Sequence, residues 1–230
     1  MEVFKLQENS LEEAVSLAIK FLEEGKVLVV PTDTVYGLVC DAMNETAVGR
    51  IFEIKQRPKE KTLPIFVSDI EMAKKYAEIF SEQERFLERV WPGAVSVVLR
   101  ATARTHAEIG ADSRGEVSYF VVQHGTIAMR IPKNEFLLNV LKIFGGPLAQ
   151  TSANISGESA VGSLDEAVQC FAGRDERPDF AFNGGKIEGF SSSVIDLSDD
   201  QPKLLREGAV SFEFLSKLLE DSGLPSLVIR

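Results

Sequence analysis

Short runs of β-branched residues alternate with longer amphipathic segments along this chain. Residues 27–30, 95–99 and 126–131 have the length and composition of strands. Residues 10–23, which begin with a Ser-x-x-Glu capping box, have the apolar spacing of a helix. An alternation of this kind is typical of α/β proteins. We therefore predict an α/β fold.

The other predicted elements follow the same criteria. We predict further strands at residues 38–40, 63–67, 117–122 and 148–151, near Phe180, and at 194–197 and 204–205, and further helices at 44–55, 68–80, 81–91, 134–144 and 163–172 and from Ser211 onward. No linker rich in Pro, Gly or Ser divides the chain. We therefore predict a single domain over residues 1–230, long enough to bury a sizeable core.

The charge balance argues against one class of function. The sequence has 25 Lys and Arg residues against 35 Asp and Glu residues, a net charge of −10. Tight, non-specific binding of nucleic acid needs clustered cations that neutralise phosphates. We therefore expect any direct binding of nucleic acid to be weak, although a small basic pocket is compatible with an acidic protein.

The cysteines and histidines argue against a metal centre. Cys40 and Cys170 lie far apart without a CxxC pair, and His106 and His124 have no ligand spacing. We predict two reduced thiols and no protein metal site. No basic and apolar leader is visible, and no apolar run approaches the ~18 residues that span a bilayer. We expect a cytoplasmic protein without a membrane span.

The segment PTDTVYGL, residues 31–38, directly follows the apolar run 27–30. Six of its eight residues have polar side chains or special backbone geometry, and a simple turn needs one or two. The simplest interpretation is a turn begun by proline, in which Thr and Asp satisfy local backbone groups. The alternative is a surface that contacts a ligand.

Three other segments have two interpretations each. Residues 55–61, KQRPKEK, are either a solvated run at a helix end or a phosphate site built from Arg and Lys. Residues 151–157, TSANISG, are either a Ser or Asx turn or an anion-binding loop. Residues 191–196, SSSVID, are either a polar strand edge or, with Arg206, a segment that carries chemistry, and the simplest interpretation of Arg206 is a surface ion pair. The sequence contains no GxxxxGK[ST] loop and no GxSxG motif.

The order of these segments is more specific than any one of them. PTDTVYGL, KxRP, WPG, GTIAMRIP, TSANISG and SSSVID follow one another as in the YrdC family of threonylcarbamoyl-adenylate synthases, which the chain resembles from about residue 27 to 209. The resemblance implies one α/β domain, in which helices pack on a twisted mixed β-sheet around a concave ligand site. The carbamoyltransferases contain a related domain together with zinc-finger and acylphosphatase segments. We see no such segments in this sequence, and we therefore do not expect a carbamoyltransferase.

The resemblance implies an adenylate-forming reaction. Members of the family condense L-threonine, bicarbonate or carbon dioxide, and ATP into threonylcarbamoyl-AMP and pyrophosphate, and Mg²⁺ accompanies the ATP. A threonylcarbamoyl transferase complex then moves the group to an adenosine of tRNA. Such a reaction needs positioning and charge neutralisation more than a protein nucleophile.

The resemblance also implies which residues bind each substrate. The catalytic residues would be the KxR pair, Lys55 and Arg57, and the SxN pair, Ser152 and Asn154. The nucleotide would also contact Lys61, Thr126 and Arg206. The threonine would contact Thr32, Thr34, Tyr36, Arg130, Ser192 and Ser193, with Arg130 on its carboxylate.

The chain departs from the family pattern in three places. Many relatives have Arg-Pro-Gly where this chain has Arg206-Glu207-Gly208, and we expect the acid to weaken the hold of Arg206 on phosphate. Some relatives have a His facing threonine in the region of Phe66. Residues 101–124 are longer than usual and form either a lid or a surface loop.

Two other functions fit the same segments. One is a non-catalytic RNA-binding or ribosome-associated paralogue, for which RNA binding would depend steeply on salt. The other is a paralogue with a changed substrate or none. The presence of both the KxR and SxN pairs argues against a dead site.

Overall fold

A mixed β-sheet runs through the part of the chain that the computed structural model describes, namely residues 1–103, Thr105 and residues 121–229. Its twelve strands are β1 (Glu2–Lys5), β2 (Leu28–Pro31), β3 (Tyr36–Asp41), β4 (Ile65–Phe66), β5 (Val95–Arg100), β6 (Val122–Gln123), β7 (Thr126–Arg130), β8 (Leu148–Ser152), β9 (Phe180–Asn183), β10 (Ser193–Asp196), β11 (Lys203–Arg206) and β12 (Val228–Ile229). Seven helices lie in the same ranges: α1 (Leu11–Glu23), α2 (Glu45–Lys55), α3 (Ile70–Tyr76), α4 (Ser81–Val90), α5 (Glu135–Phe144), α6 (Leu164–Phe171) and α7 (Phe212–Asp221).

The sheet joins strands that are distant in sequence. Their order is β1-β9-β2-β3-β8-β4-β7-β5-β10-β11-β12, and β6 pairs with β7. Strand β8 lies antiparallel between β3 and β4, whereas β4 runs parallel to β7 and β10 runs parallel to β5. The α/β fold with a mixed sheet is therefore confirmed. The domain bounds of residues 1–230 stay a prediction.

Helices cover the two faces of the sheet unequally. On one face, α2, α3, α4, α6 and α7 pack against buried strand residues in a large cluster that includes Leu38, Met129 and Ile195. On the other face, α1 and α5 form a smaller cluster with Phe66 and Phe182. Removing these apolar side chains from water stabilises each layer by about 25 cal/mol per Å² of buried surface.

Part of the second face is less buried than the rest. At β5, β7 and β10, Val98, Ala128 and Val194 are half-buried, although the residues beside them in each strand point into the large cluster. Alternate residues of a strand share a face, and Val98 pairs with Ala128. We call the surface formed by Val98, Ala128 and Val194 the open face. The residues of the candidate site lie on or beside this surface.

Local capping rules identified most helix ends correctly. Ser10 and Glu13 form the predicted capping box of α1, Ser163 does the same for α6, and Asn44 caps α2. Each cap satisfies a backbone N–H that has no partner within the helix. Ser211 likewise accepts from Phe214 N at the start of α7.

Two predicted helix starts were wrong by one residue. Asp69 rather than Ser68 caps α3, and Phe80 rather than Ser81 precedes α4. At α4 the side chain of Gln83 accepts from the backbone N–H of Phe80, so no hydroxyl is needed there. Helix α3 ends at Tyr76 rather than near residue 80, because Ala77 turns extended and forms a bridge with Ala101.

Some strands differ from the prediction. Strands β1 and β12 lie at the two edges of the sheet and were not predicted. The predicted strand 117–122 falls mostly outside the described residues, and the described part begins β6 at Val122. The turn to β7 is the two-residue pair His124 and Gly125, both with positive φ, as a tight hairpin turn requires.

Candidate active site

The PTDTVYGL segment is a tight turn between β2 and β3. Thr32 Oγ1 donates to Val35 O at 2.7 Å and accepts from the N–H groups of Thr34 and Val35. The hydroxyls of Thr32 and Thr34 lie 2.9 Å apart, and both residues are buried. The turn interpretation is therefore correct for Thr32. The second threonine points toward a more distant partner.

That partner is Arg130, the last residue of β7. Its Nε donates to Gly93 O at 2.7 Å, its Nη1 donates to Thr34 Oγ1 at 3.2 Å, and its Nη2 pairs with Asp33 Oδ1. Only 3% of the Arg130 side chain is exposed, and burial lowers its pKa while Asp33 opposes that shift. These described contacts use three of the five guanidinium N–H groups. The fork is therefore held rigidly and keeps donors for an anion.

A second arginine lies next to this cluster. Arg206, at the end of β11, donates to Ser192 O at 2.7 and 3.1 Å and to Ser192 Oγ at 3.2 Å. Ser192 Oγ lies 3.0 Å from Ser96 Oγ, and Ser96 is opposite Arg130 by continuation of the β5–β7 register. Burial and the positive charge of Arg130 both lower the pKa of Arg206. Two guanidinium groups thus share one region of the open face.

The KxR and SxN pairs meet around a buried lysine. Lys55 Nζ donates to Ser152 O and Asn154 O at 2.6 Å each and to Asn154 Oδ1 at 3.2 Å. Ser152 Oγ also donates to Asn154 Oδ1, and Asn154 Nδ2 donates to Glu158 O at 2.7 Å. Lys55 is 2% exposed. The Lys55 side chain therefore holds the TSANISG loop through these hydrogen bonds.

Lys55 should make stability depend on pH. Burial, with a smaller contribution from Arg57, lowers its pKa from 10.5 to about 7, although its oxygen partners favour the charged form. Between pH 7 and 10.5 the unfolded chain therefore keeps a proton that the folded protein has released. We expect the free energy of unfolding to rise with pH in this window. Urea unfolding of wild type and Lys55→Met measures this, and the same pH slope in both would contradict it.

Arg57 closes the basic loop on itself. Its Nε donates to Lys61 O at 2.9 Å and its Nη2 to Thr62 O at 2.7 Å. Burial lowers the pKa of Arg57, whereas Lys61 is exposed. The loop is therefore ordered by the arginine that was predicted to bind phosphate.

These clusters are connected through the sheet. Ser152 pairs with Gly37 across β8 and β3, and Ala153 N donates to Tyr36 O at 2.8 Å. A Cβ at Gly37 would lie 3.1 Å from Thr151 O and 3.5 Å from Thr32 Cγ2, so Gly37 lies between the end of β8 and the β2–β3 turn. Hydrogen bonds and strand pairing thus link two groups of residues: Lys55 to Ser152 and Gly37, and Thr34 to Arg130. Arg206 joins the second group through Ser192 and Ser96, which lies opposite Arg130.

Two predicted threonine contacts are used within the protein. Tyr36 OH donates to Gly185 O at 2.7 Å and accepts from Gly184 N at 3.0 Å. Ser193 Oγ donates to Val210 O at 2.6 Å and accepts from the N–H groups of Gly208 and Val210 at 3.0 Å. Both side chains are fully buried. Both hydroxyls hold neighbouring segments of the protein, and their contact with threonine stays a prediction.

Thr126 stands apart from the other predicted residues. It shares the open face with Arg130 but begins β7, four residues away, which is about 13 Å at the rise of a strand. Its hydroxyl donates to Gln123 O at 2.8 Å. Only a ligand that extends along the open face could contact both residues.

Glu207 does not face Arg206 as the sequence suggested. Its carboxylate accepts from Phe212 N at 2.8 Å, at the start of α7. An acid at a helix N-terminus is favourable, because it satisfies an unpaired N–H and the helix dipole. The expected weakening of the arginine therefore has no support in this geometry.

Removing that carboxylate should affect folding rather than ligand binding. We expect Glu207→Ala to lower the free energy of unfolding by about 1 kcal/mol, the value of one such hydrogen bond and a helix-dipole contact. Urea unfolding measures the loss. Weaker binding of ATP by Glu207→Ala, or tighter binding, would contradict this assignment, because either would mean that the acid acts on Arg206.

Sequence reasoning missed three residues of the site. Asp33 lies between two predicted threonines, and an acid within a motif rich in hydroxyls was a usable signal. Gly93 contributes only a carbonyl, and Ser96 lies in an apolar strand, so neither had a distinctive pattern. Phe66 lies under Arg130, with the guanidinium carbon 5.8 Å from the ring centre.

The described residues contain no group of three or more His, Cys, Asp or Glu side chains that could hold a metal ion. The predicted segment 101–124, interpreted as a lid or surface loop, lies largely outside the described residues. Within the described ranges, no helix is both long and apolar enough to cross a bilayer.

Comparison with known proteins identifies relatives over nearly the whole chain. A family model for Sua5, YciO and YrdC proteins, described as telomere recombination, matches residues 20–208. A threonylcarbamoyl-AMP synthase of Pyrococcus abyssi is 34% identical over 221 residues, covering 94% of this chain and 60% of that protein. A mouse threonylcarbamoyl-AMP synthase is 30% identical over 205 residues, covering 86% and 68%. This chain therefore spans about three fifths of the length of the Pyrococcus protein.

A solved structure gives the same result in three dimensions. The crystal structure of P. abyssi Sua5 complexed with L-threonine matches with a TM-score of 0.80 at 32% identity, over 98% of this chain and 62% of that one. Escherichia coli YciO matches with a TM-score of 0.76 at 24% identity, which is a likeness of fold alone.

Proposed function

This chain belongs to the Sua5/YciO/YrdC family, and we propose that it is a threonylcarbamoyl-AMP synthase. The proposed reaction condenses L-threonine, bicarbonate or carbon dioxide, and ATP into threonylcarbamoyl-AMP and pyrophosphate. The observation that carries the proposal is the cluster of Thr34, Arg130 and Arg206 on the open face, with Ser192 and Ser96 between the two arginines. The TSANISG loop, held by Lys55, follows β8, whose Ser152 pairs with Gly37 just after the turn that carries Thr34. Relatives of the same name support it.

The proposal gives the arginines separate substrates. Arg130 binds the carboxylate of threonine, because its held fork keeps N–H groups that match a planar anion. Arg57, Lys61 and Arg206 neutralise the phosphates of ATP. Lys55 acts indirectly, since its donors are used by Ser152 and Asn154.

The chemistry requires little covalent help from the protein. The neutral amine of threonine attacks carbon dioxide and forms a carbamate. A carbamate oxygen then attacks the α-phosphorus in line, and pyrophosphate leaves. Fixed cations and oriented N–H groups lower the barrier because they need no reorganisation when charge develops.

Mg²⁺ and the partners follow from the proposed reaction. Mg²⁺ would bind as the complex with ATP and reduce the charge of the phosphates, since the described residues contain no acidic cluster for it. The labile product would pass to a threonylcarbamoyl transferase complex that acts on tRNA. We propose a cytoplasmic location, where ATP and tRNA are available.

Pyrophosphate release tests the function. The purified protein is incubated with ATP, Mg²⁺ and bicarbonate, with and without L-threonine, and L-serine is the control. Release that requires threonine is the expected result. ATP binding without release would favour a paralogue with another substrate. RNA binding that falls steeply with salt, without release, would favour the non-catalytic alternative.

A further inference from the structure

Asp33 is an acid inside a cluster otherwise suited to anions. Its Oδ1 pairs with Arg130 Nη2, and 13% of its side chain is exposed. Among the described residues, its other oxygen, Oδ2, has no hydrogen-bond partner. The acid therefore has accepting capacity left at the position where Arg130 keeps spare donors.

An amino acid has two opposite charges on one carbon atom. Its carboxylate needs a cation and its α-ammonium needs an anion, and the two groups are close enough to require neighbouring partners. Arg130 and Asp33 are such a pair, and Thr34 fixes their relative positions because it bonds to the same guanidinium. A carboxylate that accepts from an ammonium makes a charge-assisted hydrogen bond, which is stronger than a hydrogen bond between neutral groups.

We propose that Asp33 binds the α-ammonium group of the amino-acid substrate and so selects amino acids over other hydroxy acids. The inference rests on the proposed function, because it concerns the same amino-acid site. Asp33 is a specificity-determining residue at this step. Once the amine has lost its proton, the remaining N–H can still donate to the same carboxylate.

The alternative role for the same contacts is that of a counter-ion alone. An unpaired buried guanidinium is costly, and a carboxylate beside Arg130 removes that cost. In that case removing its charge would change the binding of every carboxylate ligand alike. The two roles therefore differ in one measurable quantity, the ratio of affinities for ligands with and without an ammonium group.

The first experiment uses the wild-type protein. Isothermal titration calorimetry at neutral pH compares L-threonine with (R)-3-hydroxybutanoate, which lacks only the amino group, and with N-acetyl-L-threonine, in which the nitrogen carries no charge. We expect threonine to bind at least about ten-fold more tightly than either analogue, the value of one charge-assisted hydrogen bond. Equal affinity for threonine and (R)-3-hydroxybutanoate overturns the inference.

The second experiment uses Asp33→Asn, which keeps the shape and removes the charge. We expect threonine binding to weaken about ten-fold or more, while (R)-3-hydroxybutanoate binds as well as before or better, because Arg130 loses a competing anion. Asp33→Glu should restore part of the preference. Equal loss for both ligands assigns Asp33 to the counter-ion role and overturns the proposal.

The two experiments separate this inference from the function itself. Threonine-dependent pyrophosphate release by wild type, together with equal binding of both ligands, keeps the enzyme and removes the role of Asp33. No binding of threonine and no release removes both. If Asp33→Asn does not fold, Asp33→Glu is compared with wild type, and an unchanged ratio of affinities for threonine and (R)-3-hydroxybutanoate overturns the proposal.

Discussion

Arg130→Lys is expected to lower kcat/KM for L-threonine by about a hundred- to a thousand-fold, the usual cost of losing an oriented donor in a reacting site. A lysine ammonium is a point charge on a flexible stem and cannot contact Gly93, Thr34 and Asp33 while it also forks around a carboxylate. Initial rates of pyrophosphate release over a range of threonine concentrations measure the effect.

The control for this variant is Arg89→Lys. Arg89 lies on α4 with 45% of its side chain exposed, 3.7 Å from Asp221, and has no part in the site. We expect its rates to equal those of wild type. Arg130→Lys should remain folded by circular dichroism, because the positive charge beside Asp33 is kept. A folded Arg130→Lys with a wild-type rate would remove Arg130 from the threonine site.

Arg57→Ala is expected to lower kcat/KM for ATP by about a hundred-fold or more, through lost charge and lost positioning of the phosphates. Two effects combine in this variant. A cation predicted to face phosphate is removed, and the bonds to Lys61 O and Thr62 O that order the basic loop are lost. Rates at saturating threonine over a range of ATP concentrations give the value.

Stability separates these effects from unfolding. The lost loop bonds should cost about 1 to 3 kcal/mol in the free energy of unfolding, which a domain of this size tolerates. Arg89→Ala removes the same group from an exposed helix position and should leave the rate unchanged. If Arg57→Ala is folded and binds ATP normally, the KxR arginine has only a structural role in this chain.

Elements governed by neighbouring residues were predictable from the sequence. The capping boxes at Ser10 and Ser163 depend on a residue three positions along the chain, and strands β5 and β7 depend on runs of apolar residues. Strands β1 and β12 were missed because they lie at sheet edges and bury little, so their side chains have no clear alternation.

Partners within the site were not predictable in the same way. Lys55 and Ser152 lie 97 positions apart, and Arg130 and Thr34 lie 96 apart, so no local pattern reveals their contacts. Family resemblance indicated which residues matter, but not which of them face outward. Tyr36 and Ser193 were grouped with Thr34, and the structure shows that their hydroxyls are used by backbone groups.

Ser193 and Gly208 have a consequence for anyone who builds chimeras of this fold. Three hydrogen bonds tie Ser193 to Gly208 and Val210, and a Cβ at Gly208 would lie 2.2 Å from Ser191 O. Residues 191–193 and 206–210 therefore pack as one unit, although they are separate in the sequence. A chimera with its crossover point between these two segments would take them from different proteins and lose the contacts between them. Transplanting Arg206 into another scaffold would succeed only if the three serines and the glycine moved with it.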